Sequence, residues 1–224
     1  MNALISIIIP VKNGANYLEE ALACIERQGM NVEVIVVDDG SEDATAALAE
    51  KHGCTVLRHE RSCGPVAAKN TGLHAARGSY ILFHDHDDRL RENALQTLYE
   101  ALAEDESIAA VEAKVQDFFS PELTDAQKKE MALKAEPYFG LFTGAVLMRK
   151  AIFDRIGDFP ATLQAGERID WEYKMKQHGL KIRKLNFVSA ERRVHTANFG
   201  RTRREQEFRD YAAILRARLG PKRS

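Results

Sequence analysis

The first ninety residues limit the possible folds most strongly, because runs of apolar, β-branched residues alternate there with amphipathic stretches. The runs are ISIIIPV, VEVIVVDD and YILFH, which start at Ile5, Val32 and Tyr80. Runs that are apolar on both faces are typical of parallel strands buried between two layers of helices. We therefore predict an α/β fold with an open, mostly parallel sheet that is covered by helices on both faces.

Amphipathic stretches and turn residues between these runs predict the helices of that fold. Ser41 is expected to cap the second helix, and Pro65 to stand in the first turn of the third, where its missing N–H has no partner to lose. The other elements expected in this half are a strand over residues 55–59 and helices over 16–28, 43–52 and 91–103.

The second half begins with a polar segment, residues 117–137, which we interpret as an excursion from the sheet. A helix is expected in it after a Thr124 cap. The elements predicted beyond it are a strand in FTGAVLMRK, a helical turn in AIFDRIG, a helix in GERIDWEYKMKQHG, a strand in VSAERRVH, a basic loop in NFGRTRR and a helix to about Leu219. We expect one domain, because 224 residues leave no room for a second catalytic domain.

Composition and charge argue against several classes of function. The net charge is -1 although 29% of the residues are charged, so no overall field attracts nucleic acid or an acidic membrane. The apolar run before Pro10 is too short for a signal sequence or a membrane span. Three cysteines without metal-ligand spacing indicate free thiols. We therefore expect a cytoplasmic protein that binds no nucleic acid and is able to visit a membrane surface.

Three strand ends are predicted to meet at one edge of the sheet. They carry Pro10-Val11, Asp38-Asp39 and the segment 85–88. Ligands of open α/β sheets bind outside the carboxyl ends of the strands. This edge is therefore the expected binding site.

The segment FHDHDDRL, residues 83–90, concentrates three carboxylates within four residues. Asp85, Asp87 and Asp88 repel one another and are costly to desolvate unless a cation lies among them. Mg2+ or Mn2+ prefers such oxygen ligands together with those of a diphosphate. Zinc bound through His84 and His86 is a minor alternative, because neighbouring strand residues point to opposite faces and the two histidines cannot chelate a metal together with Asp85 from one side. The alternative without metal is that Asp88 caps the following helix, whose positive end favours the other two carboxylates.

Three motifs follow one another along this half of the chain. They are SIIIPVKNGANYLEEAL, VEVIVVDDGSEDAT and GPVAAKNTGLHAARGSYILFHDHDD. In this order and spacing they resemble a family 2 glycosyltransferase of the GT-A fold, closely over residues 5–90 and more loosely from LFTGAVLMRKAIFDRIGDF to RRVH. The resemblance implies one GT-A domain over residues 1–220. Its expected parts are a nucleotide-sugar-binding half (1–116), an acceptor and catalytic half (117–200) and a C-terminal basic loop and helix (201–220).

The resemblance assigns the nucleotide to the first strand ends and to the third helix. Pro10 and Val11 match the end of the first strand, whose backbone borders the base. Asp39 matches the residue that holds a uracil ring nitrogen, although an Asp before Gly40 is also typical of a turn. Lys69 stands where the family usually has Arg, so its expected contact with the nucleotide is less bidentate.

The resemblance assigns the donor diphosphate to the DHD motif, residues 85–87, and to the basic C-terminal part. Asp85 matches the ribose-side position, and Asp87 matches the metal ligand that bridges the diphosphate. His195 in RRVH stands where GT-A enzymes supply a histidine that completes the metal shell; the alternative is a satisfied strand residue. The basic loop is expected to fold over the diphosphate, or else to be a solvated charge run. Its arginines are Arg201, Arg203 and Arg204.

The catalytic helix departs from the family pattern. The family commonly has Glu-Asp with the Asp as general base, whereas this chain has Glu167-Arg168. Asp170 lies three residues after Glu167 and on the same helical face. The resemblance to small family members with a GE-two-residue-DW pattern favours Asp170 as the base, with Glu167 orienting it or the acceptor. The alternative for Asp170 is a salt bridge to Lys174 at i,i+4.

Together these assignments imply an inverting, metal-dependent glycosyltransferase. It would move a sugar from a nucleotide diphosphate sugar, expected to be UDP-linked, to a hydroxyl of a saccharide, a lipid-linked sugar or a peptide. Because Arg168 stands at the usual base position, the alternative is an inactive module that binds the nucleotide sugar. A phosphorylation-dependent receiver module is disfavoured, because its acidic run lies on the first strand and here that run lies on the second.

Overall fold

The computed structural model describes residues 3–198, 202 and 204–219. The first half alternates strands and helices as predicted. Its strands are β1 (Ile5–Val11), β2 (Val32–Asp38), β3 (Thr55–Arg58) and β4 (Tyr80–Phe83). Its helices are α1 (Ala15–Glu26), α2 (Thr45–Lys51) and α3 (Pro65–Ala75). β1 lies between β2 and β4, and β3 pairs with β2, all in parallel.

The central strands are buried on both faces, which explains why their sequences are continuously apolar. Ile7 of β1 belongs to one apolar core together with Leu18 of α1. Ile8, the next residue, belongs to the core on the other face together with Val66 of α3. All four side chains are fully buried, and each such burial stabilises the fold by about 1.5–3 kcal/mol.

The second half extends the same sheet. Its strands are β5 (Arg89–Leu90), β6 (Ile108–Phe119), β7 (Val146–Arg149) and β8 (Lys181–Val194). Its helices are α4 (Ala94–Ala103), α5 (Asp125–Glu130), α6 (Ile152–Ile156), α7 (Glu167–Gln177) and α8 (Arg204–Leu219). The strand order is β3-β2-β1-β4-β7-β6-β8-β5. β7 runs antiparallel to both β4 and β6 and so joins the two halves, whereas β6 and β8 are parallel. The predicted α/β class with a mostly parallel sheet is confirmed.

Two strands of the second half differ from the prediction. β6, which pairs with β8 over most of its length, was not predicted, and β8 begins at Lys181 rather than near Val188. The sequence of β6, IAAVEAKVQDFF, mixes Ala and charged residues of low strand propensity with only a few β-branched ones. The point between residues 116 and 117, where we expected one half to give way to the other, lies inside this strand.

Helix caps also differ from the prediction in two places. Ser41 does not cap α2, which starts after Ala44; the Ser41 hydroxyl instead accepts a hydrogen bond from the Asn13 N–H at 2.8 Å. Asp88 does not cap α4 but accepts a hydrogen bond from the Arg193 N–H at 2.9 Å. The predicted cap of α5 is confirmed, because Thr124 forms a capping box with Gln127.

Across the described part of the chain, every helix is too short or too polar to cross a lipid bilayer.

Candidate active site

The predicted meeting of strand ends is confirmed. The last residues of β1 and β2, Val11 and Asp38, lie opposite each other, and the Asp39 N–H donates to the Val11 carbonyl at 2.8 Å. Beyond β4, the His84 N–H donates to the Ile8 carbonyl at 2.9 Å, which places the segment 85–88 beside the end of β1. Pro10 and Val11 are buried at the centre of this edge.

Asp39 is held by a dense set of donors. Its carboxylate lies 2.7 Å from His59 Nδ1 and accepts a hydrogen bond from Ser62 Oγ at 2.7 Å. The backbone N–H groups of Cys63 and Gly64 add two more, at 2.8 and 2.9 Å. Burial raises the pKa of Asp39, but these hydrogen bonds outweigh it and keep that pKa below its usual range. Asp39 is therefore an ionised and rigidly oriented acceptor.

Asp87 meets His195 across 108 residues of sequence. His195 Nε2 lies 2.8 Å from Asp87 Oδ2, and Asn198 Nδ2 lies 3.4 Å from the same oxygen. Burial raises the pKa of Asp87, but the contact with His195 outweighs it and lowers that pKa to about 2. The end of β8 thus brings an imidazole nitrogen to the DHD motif, and its role as a metal ligand stays a prediction.

Asp85 and Asp88 show that negative charge accumulates at this edge. Burial, together with the neighbouring carboxylates Asp87 and Glu167, raises the pKa of Asp85, while Lys69 lowers it. Burial and the same DHD carboxylates raise the pKa of Asp88 well above its usual range. A cation among these oxygens would relieve the repulsion. The donor set, carboxylate oxygens plus one imidazole, suits Mn2+ or Mg2+.

The two histidines of this segment do not support the zinc alternative. His84 is fully buried, and this desolvation lowers its pKa to about 4, so it is a neutral core residue. His86 lies against Gly14 at the start of α1. They therefore occupy different surroundings, although residues two apart in a strand share a face, because β4 already ends at Phe83.

Lys69 and Glu167 form a buried pair between α3 and α7. The Lys69 ammonium donates to the Glu167 carboxylate and to Thr143 Oγ1, the latter at 3.0 Å. Burial lowers the pKa of Lys69, but Glu167 and Asp85 outweigh it and raise that pKa. The ion pair with Lys69 therefore holds Glu167, the first residue of α7, close to Asp85 of the DHD motif.

Arg168 is directed away from this edge. It is fully buried, with Nη2 lying 3.2 Å from Glu112 of β6 and 2.7 Å from Glu172. Its guanidinium also lies over the Trp171 ring, 5.0 Å from the centroid. The residue at the usual base position is thus part of the core, where a cation is tolerated because two carboxylates surround it.

Asp170 makes the contacts of the alternative that we considered for it. One oxygen lies 3.2 Å from Lys174 Nζ, and the other accepts hydrogen bonds from Arg218 of α8. Only 3% of the Asp170 side chain is exposed, against 12% for Glu167. The described contacts connect Glu167, and not Asp170, to the DHD motif.

The three arginines of the predicted basic loop are only partly described. Arg201 and Arg203 lie outside the described residues. Arg204 is the first residue of α8 rather than part of a loop, and its guanidinium lies 5.5 Å from the ring centre of Phe208. Its contact with a diphosphate stays a prediction.

Arg193 is a residue of this site that the sequence analysis did not single out. Its side chain is 2% exposed and donates to the Asp87 carbonyl at 2.8 Å, to Ser120 Oγ at 3.2 Å and to Glu20. It is sandwiched between the rings of Tyr17 and Phe118. The RRVH motif contains this residue, but nothing local in that motif distinguishes it from its neighbour Arg192.

Comparison with known proteins decides the family. The family model for Glycosyl transferase family 2 matches residues 6–159, which is more than half of the chain. The chain belongs to glycosyl transferase family 2. The resemblance drawn from the motifs is therefore confirmed.

Curated family 2 relatives match over part of their length. The glycosyltransferase GlyG of Streptococcus pneumoniae is 38% identical over 110 residues, which cover 46% of this chain and 36% of GlyG. The pre-mycofactocin glycosyltransferase of Mycobacterium tuberculosis is 26% identical over 197 residues, which cover 80% of this chain and 40% of the relative. The matched regions thus span less than half of either relative.

Two solved structures of proteins in complex with nucleotide sugars share the fold. S. aureus TarS 1-349 in complex with UDP-GlcNAc has a TM-score of 0.70 at 24% identity, covering 85% of this chain and 58% of TarS 1-349. The mannosyltransferase PcManGT of Pyrobaculum calidifontis, in complex with GDP-Man and Mn2+, has a TM-score of 0.75 at 19% identity, covering 100% of this chain and 66% of PcManGT. The predicted GT-A fold is confirmed.

Proposed function

We propose that this family 2 protein transfers a sugar from a UDP-linked donor to a hydroxyl acceptor with inversion at the anomeric carbon. The observation that supports this most is the convergence of three groups at one sheet edge. They are the oriented Asp39 carboxylate, the Asp87–His195 pair and the Glu167 carboxylate. They supply a hydrogen-bond acceptor for the nucleobase, ligands for a metal ion, and a candidate general base for the attacking hydroxyl. These are the parts that the reaction needs.

In this proposal the donor lies across the ends of β1, β2 and β4. Asp39 accepts a hydrogen bond from the uracil ring, and Pro10 and Val11 border the base. Asp85 faces the ribose. Asp87 and His195 hold Mg2+ or Mn2+, which when bound offsets the negative charge that develops on the leaving diphosphate.

We assign the general base to Glu167 rather than to Asp170. The acceptor oxygen attacks the anomeric carbon from the face opposite the diphosphate, and the bond from that carbon to the phosphate oxygen breaks. Glu167 receives the proton of the acceptor hydroxyl, and the ion pair with Lys69 holds the Glu167 carboxylate in place. Asp170 is less suited to this step, because Arg218 and Lys174 occupy its carboxylate.

The proposed metal ligand is tested by exchanging Asp87→Asn. The change removes a ligand charge at nearly constant size, so the part of UDP affinity that depends on Mn2+ should disappear. Titration calorimetry with UDP, with and without Mn2+, measures this. The matched control is Asp125→Asn in the exposed first turn of α5, which should bind like the unaltered protein. Equal Mn2+ enhancement in both variants would contradict the assignment.

The second candidate is a module that binds the donor without transferring it. The burial of Arg168 at the usual base position favours it. Incubation with a panel of UDP-sugars and Mn2+ separates the two candidates, because an enzyme releases UDP slowly by hydrolysis even without its acceptor. Donor binding without any UDP release, under conditions that saturate the protein, would favour the module.

A further inference from the structure

A second group of potential metal ligands lies beside the DHD motif. Asp39 follows β2, His59 follows β3, and Cys63 lies in the loop before α3. One ligand atom from each, an oxygen, a nitrogen and a sulfur, lie within 4.8 Å of one another. Asp39 is buried, His59 is half-buried, and Cys63 is exposed with a free thiol.

One arrangement of the hydrogen bonds around His59, in which the Thr71 hydroxyl donates to Ala67, leaves a place for a cation. The Thr71 hydroxyl lies 3.1 Å from the Ala67 carbonyl, to which only the hydroxyl is able to donate. His59 Nε2, 3.0 Å from Thr71 Oγ1, must then be the donor in their contact. A neutral imidazole has only one N–H, so its Nδ1 presents a lone pair. That atom lies 2.7 Å from an oxygen of Asp39, so in this arrangement a cation between the two atoms completes the contact.

The chemistry of the three ligands selects the metal. Zinc binds imidazole, thiolate and carboxylate together, and the thiolate distinguishes this set from the Asp87–His195 pair, because Mg2+ and Mn2+ do not favour sulfur ligands. Tetrahedral zinc holds its nitrogen and oxygen ligands about 2.1 Å away, which places them roughly 3.4 Å apart. The His59–Asp39 contact therefore needs to open by less than about 1 Å. The thiol of Cys63 is on the surface, so it is able to turn inward and release its proton to water.

The hydrogen bonds beyond the ligands also suit a metal. A ligating histidine usually donates its other N–H to an acceptor that fixes the ring, and here the Thr71 hydroxyl takes that place. The second Asp39 oxygen is held by Ser62 Oγ and by the Gly64 N–H. The ligand that faces the cation is therefore already oriented.

We propose that Asp39, His59 and Cys63 form a binding site for Zn2+ that is separate from the Asp87–His195 site. Because the proposed function uses Asp39 to hold the nucleotide base, a zinc ion at this place excludes the base. Micromolar zinc then inhibits the protein by competing with its donor, while Mn2+ or Mg2+ at the DHD motif supports donor binding. The presence of the site does not depend on the proposed function, but the inhibition does.

Cobalt titration tests the site directly. Co2+ substitutes for zinc, and ligation by a thiolate adds an intense near-ultraviolet charge-transfer absorption. We expect this band at one equivalent in the unaltered protein, and its removal by added Zn2+. In Cys63→Ser the band should be absent. The matched control is Cys54→Ser, because burial raises the pKa of that thiol to about 11 and Cys54 lies at the end of β3 opposite to His59 and Asp39.

Two further variants test the other ligand and the hydrogen bond behind it. His59→Gln should weaken Co2+ binding by more than Thr71→Val, which removes only the outer contact and should cost about 10–100-fold. Asp87→Asn should leave the band unchanged, because the DHD motif is a different site. Absence of the band in the unaltered protein, or an equal band in Cys63→Ser, would overturn the proposal.

Competition with UDP separates the zinc site from the proposed function. If both are right, UDP displaces Co2+ and bleaches the band. If the band survives saturating UDP while UDP binding itself is intact, the zinc site stands and the assignment of Asp39 to the base is wrong. If zinc blocks UDP equally in Cys63→Ser, the inhibition comes from another site and the proposal fails.

Discussion

At the scale of single residues, the two neighbouring carboxylates of α7, Glu167 and Asp170, have different ion-pair partners. Glu167 is paired with Lys69 beside the DHD motif, and Asp170 is paired with Arg218 and Lys174. The two lie one helical turn apart, yet only Glu167 contacts the site. The pattern of the helix predicts that both share a face, but the width of that face is enough to give them different neighbours.

This separation predicts opposite effects of two isosteric exchanges. Glu167→Gln should lower turnover by about 10² to 10⁴, because the acceptor proton loses its destination. Asp170→Asn should leave turnover within a few-fold and cost about 1–3 kcal/mol of unfolding free energy, because it weakens charged hydrogen bonds to α8. Steady-state transfer rates and urea unfolding measure the two effects. The reverse result would return the base to Asp170.

The hydrogen bonds of Arg193 predict that it supports the proposed metal site, although it does not contact a ligand atom of the metal. Its guanidinium holds the Asp87 backbone, Ser120 and Glu20 at once, which a lysine ammonium is unable to do from one position. Arg193→Lys should therefore lower the Mn2+-dependent UDP affinity about tenfold and the unfolding free energy by about 1–3 kcal/mol. Calorimetry and urea unfolding check both effects. Arg91→Lys, at a 46% exposed arginine paired with Glu191, is the control and should change neither quantity.

At the scale of elements, α8 fastens the start of α7. Asp210 accepts hydrogen bonds from the N–H groups of Gln164 and Ala165, directly before α7, at 2.8 and 3.0 Å. Gly166 follows with a φ of 78°, and a Cβ there would meet the Tyr211 ring at 2.7 Å. The position of the proposed base thus depends on a helix that comes nearly forty residues later in the chain.

Loosening this attachment should affect catalysis more than donor binding. Asp210→Ala leaves two half-buried N–H groups without this partner, so we expect a loss of about 1–2 kcal/mol in stability. It should also lower kcat while the KM for the donor stays nearly constant, because the donor is held by other elements. Glu205→Ala, at an exposed position of α8, is the control. A raised donor KM with unchanged kcat would contradict this positioning role for α8.

At the scale of the whole molecule, the sheet edge opposite the site is tied together by one carboxylate. Glu33 at the start of β2 accepts hydrogen bonds from Ser6 of β1 and from the Arg77 and Gly78 N–H groups just before β4. Burial raises the pKa of Glu33, but these donors outweigh it and lower that pKa below the ordinary 4.5. Three parallel strands are thus joined at the end remote from the site.

This depressed pKa predicts an acid limb of stability. A carboxyl whose pKa is lower in the folded state contributes stability that is complete above about pH 5 and is lost as the pH falls through the folded pKa. In Glu33→Gln the free energy of unfolding should therefore be lower than in the unaltered protein near pH 7. It should also fall less steeply below pH 4.5. Urea unfolding over pH 3 to 7, at about ten pH values, measures this, and parallel curves would contradict it.

The strands could be predicted from the sequence where their buried side chains are apolar, and the prediction failed where a buried side chain is charged. The ends of β1, β2 and β4 follow from continuous apolar runs, and the motif resemblance led to His195 beside Asp87. β6 was missed because Glu112 marks it as polar, although its charge is matched by Arg168, 56 positions later. A strand that buries a charge is recognisable only once its partner is known, and the partner lies on another element.

The burial of Arg168 has a consequence for how this chain is related to others of its family. Exchanging Arg168 alone for the usual Asp would bring a third carboxylate to Glu112 and Glu172 in the core and remove the cation between them. The familiar Glu-Asp pair is therefore not one substitution away. Lys184, 3.3 Å from the second Glu112 oxygen and 55% exposed, would still pair with Glu112, but Arg168 would no longer separate it from the other carboxylates. We therefore expect a route between the two sequences that keeps the fold to change Glu112 in β6 as well.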